Sequence, residues 1–417
     1  MIELRDYQKD ISSQGADILF EKGFLYLSMQ VRTGKTLTAM ATCNKLVERG
    51  VFEHPVSVLF LTKKKAISGI EKDIEDFGSP LLDVEVINYE SIHKRGKKCW
   101  DIVVCDEAHG LGAFPKPSKR ARDVAAVIKA CGSYVILLSG TPTPESYSQI
   151  YHQVYAIPKN PFSAYKNFYD FARTFVRVTS RRINGYEVKD YSDASSGVVD
   201  MMSPYTISFT QEQAGFNSNI EEHVLACDMS DATKALIKDL KRDKVKETEF
   251  GTILCDTSVK FMSKMHQICS GTVICEDGSS IVINDDKARF IKERFKGKKI
   301  GIFYKFKAEL TALKGVFGHT LTTEISEFNG SDKNIALQIV SGREGISLRE
   351  ADALVYYNID FSATSYWQSR DRMTTLDRRD NKVYWVFSVG GIEYKIYQAV
   401  VKKKDYTVYH FRNDYFL

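Results

Sequence analysis

The strongest constraint on the fold is a regular alternation of short apolar runs with longer helical stretches over the first 155 residues. Nearly continuous apolar runs of strand length lie at 24–29, 56–62, 83–89, 100–107 and 133–140. Strands that are apolar throughout are typical of parallel sheets buried on both faces. The stretches between them, such as 35–50, have helical length and end in glycine, so the pattern predicts βαβ repeats and a doubly wound sheet.

The same pattern returns after about residue 285, with apolar runs at 298–304, 335–341, 353–359 and 382–388. Between the two regions, Asn184-Gly185 predicts a hairpin over 178–190, and Asp277-Gly278 predicts another. Residues 229–270 have a helical pattern. The chain of 417 residues far exceeds one domain of ~150. We therefore predict an α/β fold with two lobes, at 1–155 and 229–417, separated by an irregular, hairpin-containing insert at 156–228.

Composition excludes several classes of protein. Apolar residues make up 43% and charged residues 27%, without an apolar run long enough for a membrane span, so a globular protein that makes no membrane contact is expected. The eight cysteines include no C-x-x-C pair, and no secretory leader opens the sequence. We expect buried, reduced thiols in a cytoplasmic protein. The net charge of +5 permits a polyanionic partner.

A phosphate-binding loop is predicted at Gly34-Lys35-Thr36, between the first apolar run and the first long helix. Glycine allows a tight turn, the lysine and threonine supply an ammonium group and a hydroxyl, and the helix supplies free N–H groups. The usual pattern also has a glycine six residues before the lysine, where this chain has Met29. Backbone amides can wrap phosphates without that glycine.

An acidic pair, Asp106-Glu107, follows the buried run at 100–105. An unpaired carboxylate in such a place would cost several kcal/mol, so a chemical role is indicated. In a nucleotide site, Asp106 would hold Mg²⁺ beside the Thr36 hydroxyl, and Glu107 would position and deprotonate the attacking water. Lys35, Asp106 and Glu107 are therefore candidate catalytic residues.

Several motifs together resemble the DEAH-box helicases and translocases of superfamily 2. Asp106-Glu107-Ala108-His109 is similar to their motif II, "SGTPTP" at 139–144 to motif III, and "LRDYQ" at 4–8 to the Q motif. The segments "FPKPSKRARDVA" and "MHQICSGTV" resemble small virus-encoded SWI/SNF-type members. The resemblance implies two RecA-like lobes that use ATP and Mg²⁺. It further implies adenine contacts from Arg5, Tyr7 and Gln8, and coupling of the ATP site to nucleic acid by His109, Ser139 and Thr141.

The resemblance extends to the motifs that contact nucleic acid. Residues 58–77 resemble motif Ia, 87–92 motif Ib, 300–306 motif IV and 341–358 motif V. The implied nucleic-acid contacts are Thr62, Lys63, Lys64, Asn88, Tyr89, Lys305 and Ser341. Arg181 and Arg182 on the predicted hairpin are further candidates, since a basic β-ribbon can contact DNA; a surface hairpin without DNA contact is the alternative.

Motif VI is matched at Gln368, Asp371 and Arg372, but Thr375 occupies the position of the family's second arginine. The resemblance implies catalytic roles for Gln368 and Arg372, and nucleotide contacts from Gly345, Asp371 and Arg372. Losing an arginine finger can lower the rate ~10³-fold. Another arginine nearby could replace it, Arg372 could suffice, or the motor could be slow.

These patterns lead to one functional hypothesis with two alternatives. The leading hypothesis is an ATP-dependent DNA helicase or translocase that remodels duplex or branched DNA, works as a monomer and lies in the cytoplasm, or the host cytoplasm if a virus encodes it. The first alternative is a translocase on duplex DNA that does not separate strands. The second, suggested by Thr375, is a nucleic-acid clamp with weak ATPase activity. An RNA helicase fits the motifs less well.

Overall fold

The structure is a computed structural model that describes residues 2–52, 55–96, 98–183, 186–215, 219–339, 348–362, 366, 369 and 380–402. It divides into two compact units, residues 1–216 and 217–417. Each unit contains one six-stranded sheet. All pairs of neighbouring strands in these two sheets run parallel. The predicted fold class, two RecA-like α/β lobes with parallel sheets, is confirmed.

The first unit has strands in the order β3-β2-β4-β5-β1-β8, together with a separate two-stranded hairpin, β6-β7. Its strands are β1 (Phe24–Met29), β2 (Val56–Thr62), β3 (Leu82–Asn88), β4 (Ile102–Cys105), β5 (Tyr134–Leu138), β6 (Thr179–Ile183), β7 (Tyr186–Asp190) and β8 (Thr206–Phe209). Its helices are α1 (Asp6–Lys22), α2 (Lys35–Glu48), α3 (Ile67–Phe77), α4 (Lys119–Cys131), α5 (Gln149–Val154), α6 (Phe168–Phe175) and α7 (Gly197–Met202).

Successive residues of the central strands pack into two different cores, one on each face of the sheet. On β1, Phe24 and Tyr26 belong to one hydrophobic cluster, and Leu25, Leu27 and Met29 belong to the other. Side chains alternate between the faces of a strand, so a strand buried on both faces must be apolar at nearly every position. This explains why the strands could be located from continuous apolar runs.

The segment after residue 155 packs on the first sheet instead of forming a separate body. The Phe168 and Phe171 rings of α6 lie 5.8 and 5.0 Å from the Tyr151 ring of α5. Further on, β8 adds to the sheet beside β1. The predicted insert at 156–228 is thus divided between the two units at residue 216. The predicted hairpin is present as β6 and β7; its turn, Asn184-Gly185, lies outside the described residues.

The second unit has strands in the order β15-β16-β14-β17-β18-β9 and two short hairpins. Its strands are β9 (Asn219–Cys227), β10 (Val245–Thr248), β11 (Gly251–Leu254), β12 (Thr272–Ile274), β13 (Ser280–Val282), β14 (Ile300–Tyr304), β15 (Leu321–Thr322), β16 (Asn334–Gln338), β17 (Ala353–Tyr356) and β18 (Asp380–Ser388). Its helices are α8 (Asp231–Asp243), α9 (Ser258–Cys269), α10 (Asp286–Arg294), α11 (Lys307–Phe317), α12 (Ile325–Asn329) and α13 (Glu393–Val401).

The helical stretch predicted at 229–270 is wrong in its middle. The hairpin β10-β11 interrupts it and separates α8 from α9. Lys244, with a left-handed φ of 63°, ends α8, and Thr257 caps the start of α9 by accepting a hydrogen bond from the Lys260 N–H. The hairpin predicted around Asp277-Gly278 is confirmed as β12-β13.

The expectation of eight reduced cysteines is wrong for one pair. Cys99 and Cys131 form a disulfide, with their Cα atoms 5.2 Å apart. Cys99 lies shortly before β4 and Cys131 ends α4, so the topology brings them to the same end of the sheet. The remaining six cysteines are buried thiols. Among the described residues, no helix is both long and apolar enough to cross a membrane.

Candidate nucleotide site in the first unit

The predicted phosphate loop connects the end of β1 to the start of α2. Gly34 is the residue before the helix and has a left-handed φ of 78°, a conformation that favours glycine. The Thr33 hydroxyl donates to the Gln30 carbonyl at 2.8 Å, and the Thr38 N–H donates to the Gly34 carbonyl at 3.0 Å. The first turn of α2 begins with Lys35 and Thr36, and such a turn presents backbone N–H groups suited to an anion.

Gln8 and Tyr7 hold this loop from the N-terminal helix. The buried Gln8 side chain donates from Nε2 to the Gly34 carbonyl at 3.2 Å and accepts from the Arg5 N–H at 3.0 Å. The Tyr7 hydroxyl donates to the Thr33 carbonyl at 3.1 Å, and Arg5 Nη1 donates to that hydroxyl at 3.1 Å. The three residues assigned to the Q motif therefore contact one another and the phosphate loop.

Asp106 lies directly after β4, where its carboxylate is partly buried. The Thr62 hydroxyl donates to Asp106 Oδ2 at 2.9 Å. Burial raises the pKa of Asp106 to about 6, and the charge of Glu107 adds to this rise. The Lys35 ammonium group and the Thr62 hydrogen bond act on this pKa in the opposite sense. The structure thus brings the predicted lysine and the predicted carboxylate into electrostatic contact.

Glu107 and His109 connect this carboxylate pair to the loop after β5. Glu107 has a left-handed φ of 50°, a strained conformation for a residue other than glycine. His109 Nδ1 lies 3.3 Å from Glu107 Oε2 and 3.1 Å from Ser139 Oγ. The Thr141 N–H donates to the same Ser139 oxygen at 3.1 Å. The three residues predicted to couple the motifs therefore form one chain of contacts from Glu107.

The residues predicted to contact nucleic acid at and after the ends of β2 and β3 differ in their exposure. Thr62 and Tyr89 are buried, and both hydroxyls donate to Asp106: Thr62 to the carboxylate, and Tyr89 to the main-chain carbonyl at 2.5 Å. Lys64 is exposed and Lys63 is half-buried. Asn88 pairs with Thr62 in the sheet register, and its buried Oδ1 has no hydrogen-bond partner among the described residues. The exposed Lys64 is therefore open to a phosphate, whereas the hydroxyls of Thr62 and Tyr89 are buried.

In the second unit, Lys305 follows β14 and forms an ion pair with Asp360. Its ammonium group also lies 4.4 Å from the centre of the Phe361 ring. Glu309, which is fully buried, accepts hydrogen bonds from the Lys305 N–H at 2.7 Å and from the Phe306 N–H at 3.0 Å. The predicted DNA contact at Lys305 is thus already neutralised by a neighbouring carboxylate.

A buried polar network extends from Glu309, and the sequence motifs do not predict it. Asn358 Nδ2 donates to Glu309 Oε1 at 2.6 Å, and the Asn358 amide oxygen lies 2.6 Å from His266 Nε2. Burial, together with the charge of Lys305, lowers the pKa of His266 well below its usual value. The capping position of Glu309, three residues after Phe306, was the available signal.

The remaining predicted site residues lie outside the described part of the chain, or only their main chains are described. Residues whose positions fall outside it are Ser341, Gly345, Gln368, Asp371, Arg372 and Thr375. Arg181 and Arg182 lie on β6, opposite Val188 and Glu187 in the register, but their side chains are outside the described part. Within the described part, no group of three His, Cys, Asp or Glu side chains could hold a metal ion by itself.

A phosphate loop at one strand end, with an Asp-Glu pair at a nearby parallel strand end, defines the arrangement of a P-loop nucleotide-binding protein. Residues 34–274 match the family model of the SNF2-related domain. Because this range covers more than half of the chain, the protein belongs to the SNF2-related family within superfamily 2.

Two solved structures of a Sulfolobus solfataricus protein are similar to this chain. Its SWI2/SNF2 ATPase core in complex with double-stranded DNA is 17% identical, with a TM-score of 0.45, over 96% of this chain and 91% of that chain. The core domain of the SWI2/SNF2 ATPase is 18% identical, with a TM-score of 0.44, over 97% of this chain and 89% of that chain. A comparison with curated proteins finds no significant match.

Proposed function

We propose that this protein is a DNA-dependent ATPase that moves along DNA and remodels duplex or branched substrates. The observation that carries the proposal is the placement of Gly34-Lys35-Thr36 and Asp106-Glu107 at strand ends of one sheet, in a chain of the SNF2-related family. A loop that binds phosphates and a carboxylate pair that can handle a metal ion and a water are the two parts that nucleotide hydrolysis requires.

The residues present fit Mg²⁺-ATP. Gly34 has a left-handed φ of 78°, which L side chains rarely adopt, so glycine permits the turn that precedes the N–H groups at the start of α2. Mg²⁺ prefers oxygen ligands and is commonly held by one or two carboxylates together with substrate phosphates. Asp106 and Thr36 would hold the ion, and Lys35 with the first N–H groups of α2 would hold the phosphates. The bound ion neutralises charge on the phosphate oxygens.

Glu107 is the proposed base for the attacking water. His109 Nδ1 lies near Glu107 Oε2 and Ser139 Oγ at once, so its ring orientation depends on both. Its proposed role is to keep Glu107 in position and to pass a displacement of the loop after β5 to the carboxylate. Ser139 is suited to this link because it also accepts the Thr141 N–H.

Gln8 has a proposed double role. Its amide bonds to Gly34 and to the Arg5 N–H, which braces the phosphate loop. A primary amide carries two N–H donors. One therefore suffices for Gly34, and the other can reach the adenine ring that the Q motif implies. Tyr7 stacks on Phe209 with ring centroids 4.6 Å apart, which makes one wall beside this position rigid.

The loop after β2 is the proposed DNA contact in the first unit. Lys64 and Lys65 are exposed there, and the half-buried Lys63 precedes them. Lysine contacts with phosphates do not depend on base sequence. They release counterions from the DNA, and this release becomes less favourable as the salt concentration rises. DNA binding by this loop should therefore be insensitive to sequence and sensitive to salt. Lys305 would contribute only if DNA displaces Asp360 from it.

The proposal is tested by steady-state ATP hydrolysis with no nucleic acid, single-stranded DNA, duplex DNA, a four-way junction and RNA. We expect one form of DNA to stimulate hydrolysis strongly, and Glu107→Gln to remove the stimulation. A near-zero rate under all five conditions would contradict the motor and favour the clamp suggested by Thr375. For an active protein, a forked substrate and a triplex-displacement substrate then separate strand unwinding from translocation along duplex DNA.

A further inference from the structure

Two buried hydroxyl groups, one at the end of β2 and one directly after β3, bond to Asp106. Thr62 is the last residue of β2, and its hydroxyl donates to the Asp106 carboxylate at 2.9 Å. Tyr89 directly follows β3, and its hydroxyl donates to the Asp106 main-chain carbonyl at 2.5 Å. Thr62 is 1% exposed and Tyr89 is 2% exposed. Both the side chain and the backbone of this residue are thus fixed by donors outside its own strand.

The same two residues begin the loops that face solvent. Thr62 is followed at once by the lysines at 63–65, of which Lys64 and Lys65 are exposed. Tyr89 is the first residue of a short 3-10 helix, Tyr89–Arg95. A displacement of either loop therefore pulls directly on a hydroxyl bonded to Asp106. Hydrogen bonds of 2.5 and 2.9 Å do not survive a movement of about 1 Å with useful strength.

Arg120 of α4 contacts the Tyr89 ring and the next residue, Glu90. Its guanidinium carbon lies 5.0 Å from the centre of the Tyr89 ring, and its Nη2 donates to Glu90 at 2.5 Å. Its Nη1 lies beside Gly110, at 3.1 Å from where a Cβ atom would be, and Gly110 follows the Asp-Glu pair by three residues in the sequence. The start of the 3-10 helix, the N-terminal turn of α4 and the segment after Asp106 are therefore packed as one assembly.

We propose that Thr62 and Tyr89 are positioning residues that couple the loops after β2 and β3 to Asp106, so that DNA on these loops sets the carboxylate for Mg²⁺-ATP. The inference rests on the proposed function. It changes the role of both residues, because the resemblance implied direct contacts with nucleic acid and the structure turns both hydroxyls inward. A misplacement of about 1 Å in a catalytic group can cost ~100-fold in rate, so the link is sensitive enough to control turnover.

The test uses the full chain with Thr62→Val and Tyr89→Phe, each of which removes one hydroxyl and keeps the volume. Thr62→Ser retains the hydroxyl as the conservative variant. Tyr151→Phe is the matched control, because Tyr151 is also buried and its hydroxyl also donates to a main-chain carbonyl, that of Tyr165, at 3.3 Å. A fluorescent ATP analogue is titrated in EDTA and in Mg²⁺, and a duplex is titrated with and without a non-hydrolysable ATP analogue and Mg²⁺.

Two quantities report the link without turnover. The first is the gain in nucleotide affinity caused by Mg²⁺, which should fall about fivefold in Thr62→Val and in Tyr89→Phe, as expected for the loss of one hydrogen bond. The second is the factor by which nucleotide and duplex raise each other's affinity, which must be the same in both directions. It should fall towards one in both variants and stay at the wild-type value in Thr62→Ser and Tyr151→Phe.

The outcomes separate this inference from the proposed function. A wild-type protein that binds no nucleotide under any condition overturns both. A wild-type protein with DNA-stimulated hydrolysis, whose Thr62→Val and Tyr89→Phe variants keep the Mg²⁺ gain and the coupling factor, overturns the inference alone. Equal losses in Tyr151→Phe also overturn it, since they would show a general effect of a missing buried hydroxyl.

Discussion

Replacing Gly34 with alanine should destabilise the first unit through two separable effects. The first is backbone strain, because φ at this position is 78°. A left-handed conformation costs an L-residue about 1–2 kcal/mol, and the lower freedom of alanine in the unfolded chain offsets about 0.4–1 kcal/mol. The net backbone cost is therefore about 1 kcal/mol.

The second effect is steric. The new Cβ atom would lie 2.4 Å from Gln8 Nε2, so the Gln8 side chain has to move. That movement breaks its hydrogen bonds with the Gly34 carbonyl and the Arg5 N–H. Each such bond contributes ~1 kcal/mol. Gly34→Ala should therefore lower the free energy of unfolding by about 3 kcal/mol in total.

Two further variants separate the effects. Gly23→Ala has the same kind of strain, with φ of 73° and no atom within 4 Å of the new Cβ, so it should cost about 1 kcal/mol. Gln8→Ala should cost about 2 kcal/mol through the same two hydrogen bonds. Because those bonds can be lost only once, Gln8→Ala combined with Gly34→Ala should cost about 3 rather than 5 kcal/mol.

The assay is denaturant unfolding of the four variants, followed by tryptophan fluorescence, to which the buried Trp100 of this unit contributes, and by binding of a fluorescent ATP analogue. Gly34→Ala should weaken nucleotide binding, and Gly23→Ala should not. The steric reasoning is refuted if Gly34→Ala costs no more than Gly23→Ala, or if the costs of Gly34→Ala and Gln8→Ala simply add.

Four other substitutions test the site and the cores. Lys35→Ala and Glu107→Gln should abolish ATP hydrolysis and leave DNA binding measurable by fluorescence anisotropy; full turnover in either variant would disprove the site. His266 stays neutral in the folded protein, whereas in the unfolded chain it gains a proton below about pH 6.5. The free energy of unfolding should therefore decrease as the pH is lowered below this value, by up to ~1.4 kcal/mol per pH unit. His266→Gln should reduce this slope in urea titrations. Lys287→Met should cost about 3–5 kcal/mol in the same titrations, because it leaves the fully buried Glu393 without its cation; a cost near zero would show that the pair is dispensable.

The central strands could be predicted because burial on both faces leaves a local signal. The apolar runs at 24–29 and 56–62 coincide with β1 and β2. The edge strands β8 and β9 were missed, since β9 carries the polar sequence "NIEEH" and pairs with β18, more than 150 residues further along the chain. Pairing at such a separation leaves no local pattern, and β9 is supported by a partner instead of by its own hydrophobicity.

The positions of Lys35 and Asp106 at strand ends could be predicted, because each directly follows an apolar run or its loop; their roles stay predictions. The site was not predictable where the direction of a side chain decides the role. Thr62 and Tyr89 were assigned to DNA, although both hydroxyls bond to Asp106. Lys305 was also assigned to DNA, and the carboxylate that neutralises it lies 55 residues away in sequence. The likeness to virus-encoded members stays a prediction.

Both sheets place a carboxylate after a central strand, and their hydrogen bonds indicate which one is available to a cation. The Glu309 oxygens accept from Asn358 Nδ2 and from the Lys305 and Phe306 N–H groups, so protein donors surround the carboxylate. Asp106 instead lies beside Glu107, and burial with this like charge raises its pKa to about 6. Asp106→Asn should therefore stabilise the nucleotide-free protein, by up to ~3 kcal/mol, while removing the Mg²⁺-dependent gain in ATP affinity. Burial raises the pKa of Glu309 as well, but both of its oxygens accept hydrogen bonds from protein N–H groups. Glu309→Gln would turn an N–H group towards one of these donors, so it should destabilise the second unit and leave the Mg²⁺-dependent gain intact. The reasoning is contradicted if Asp106→Asn is destabilised, or if Glu309→Gln loses the response to Mg²⁺.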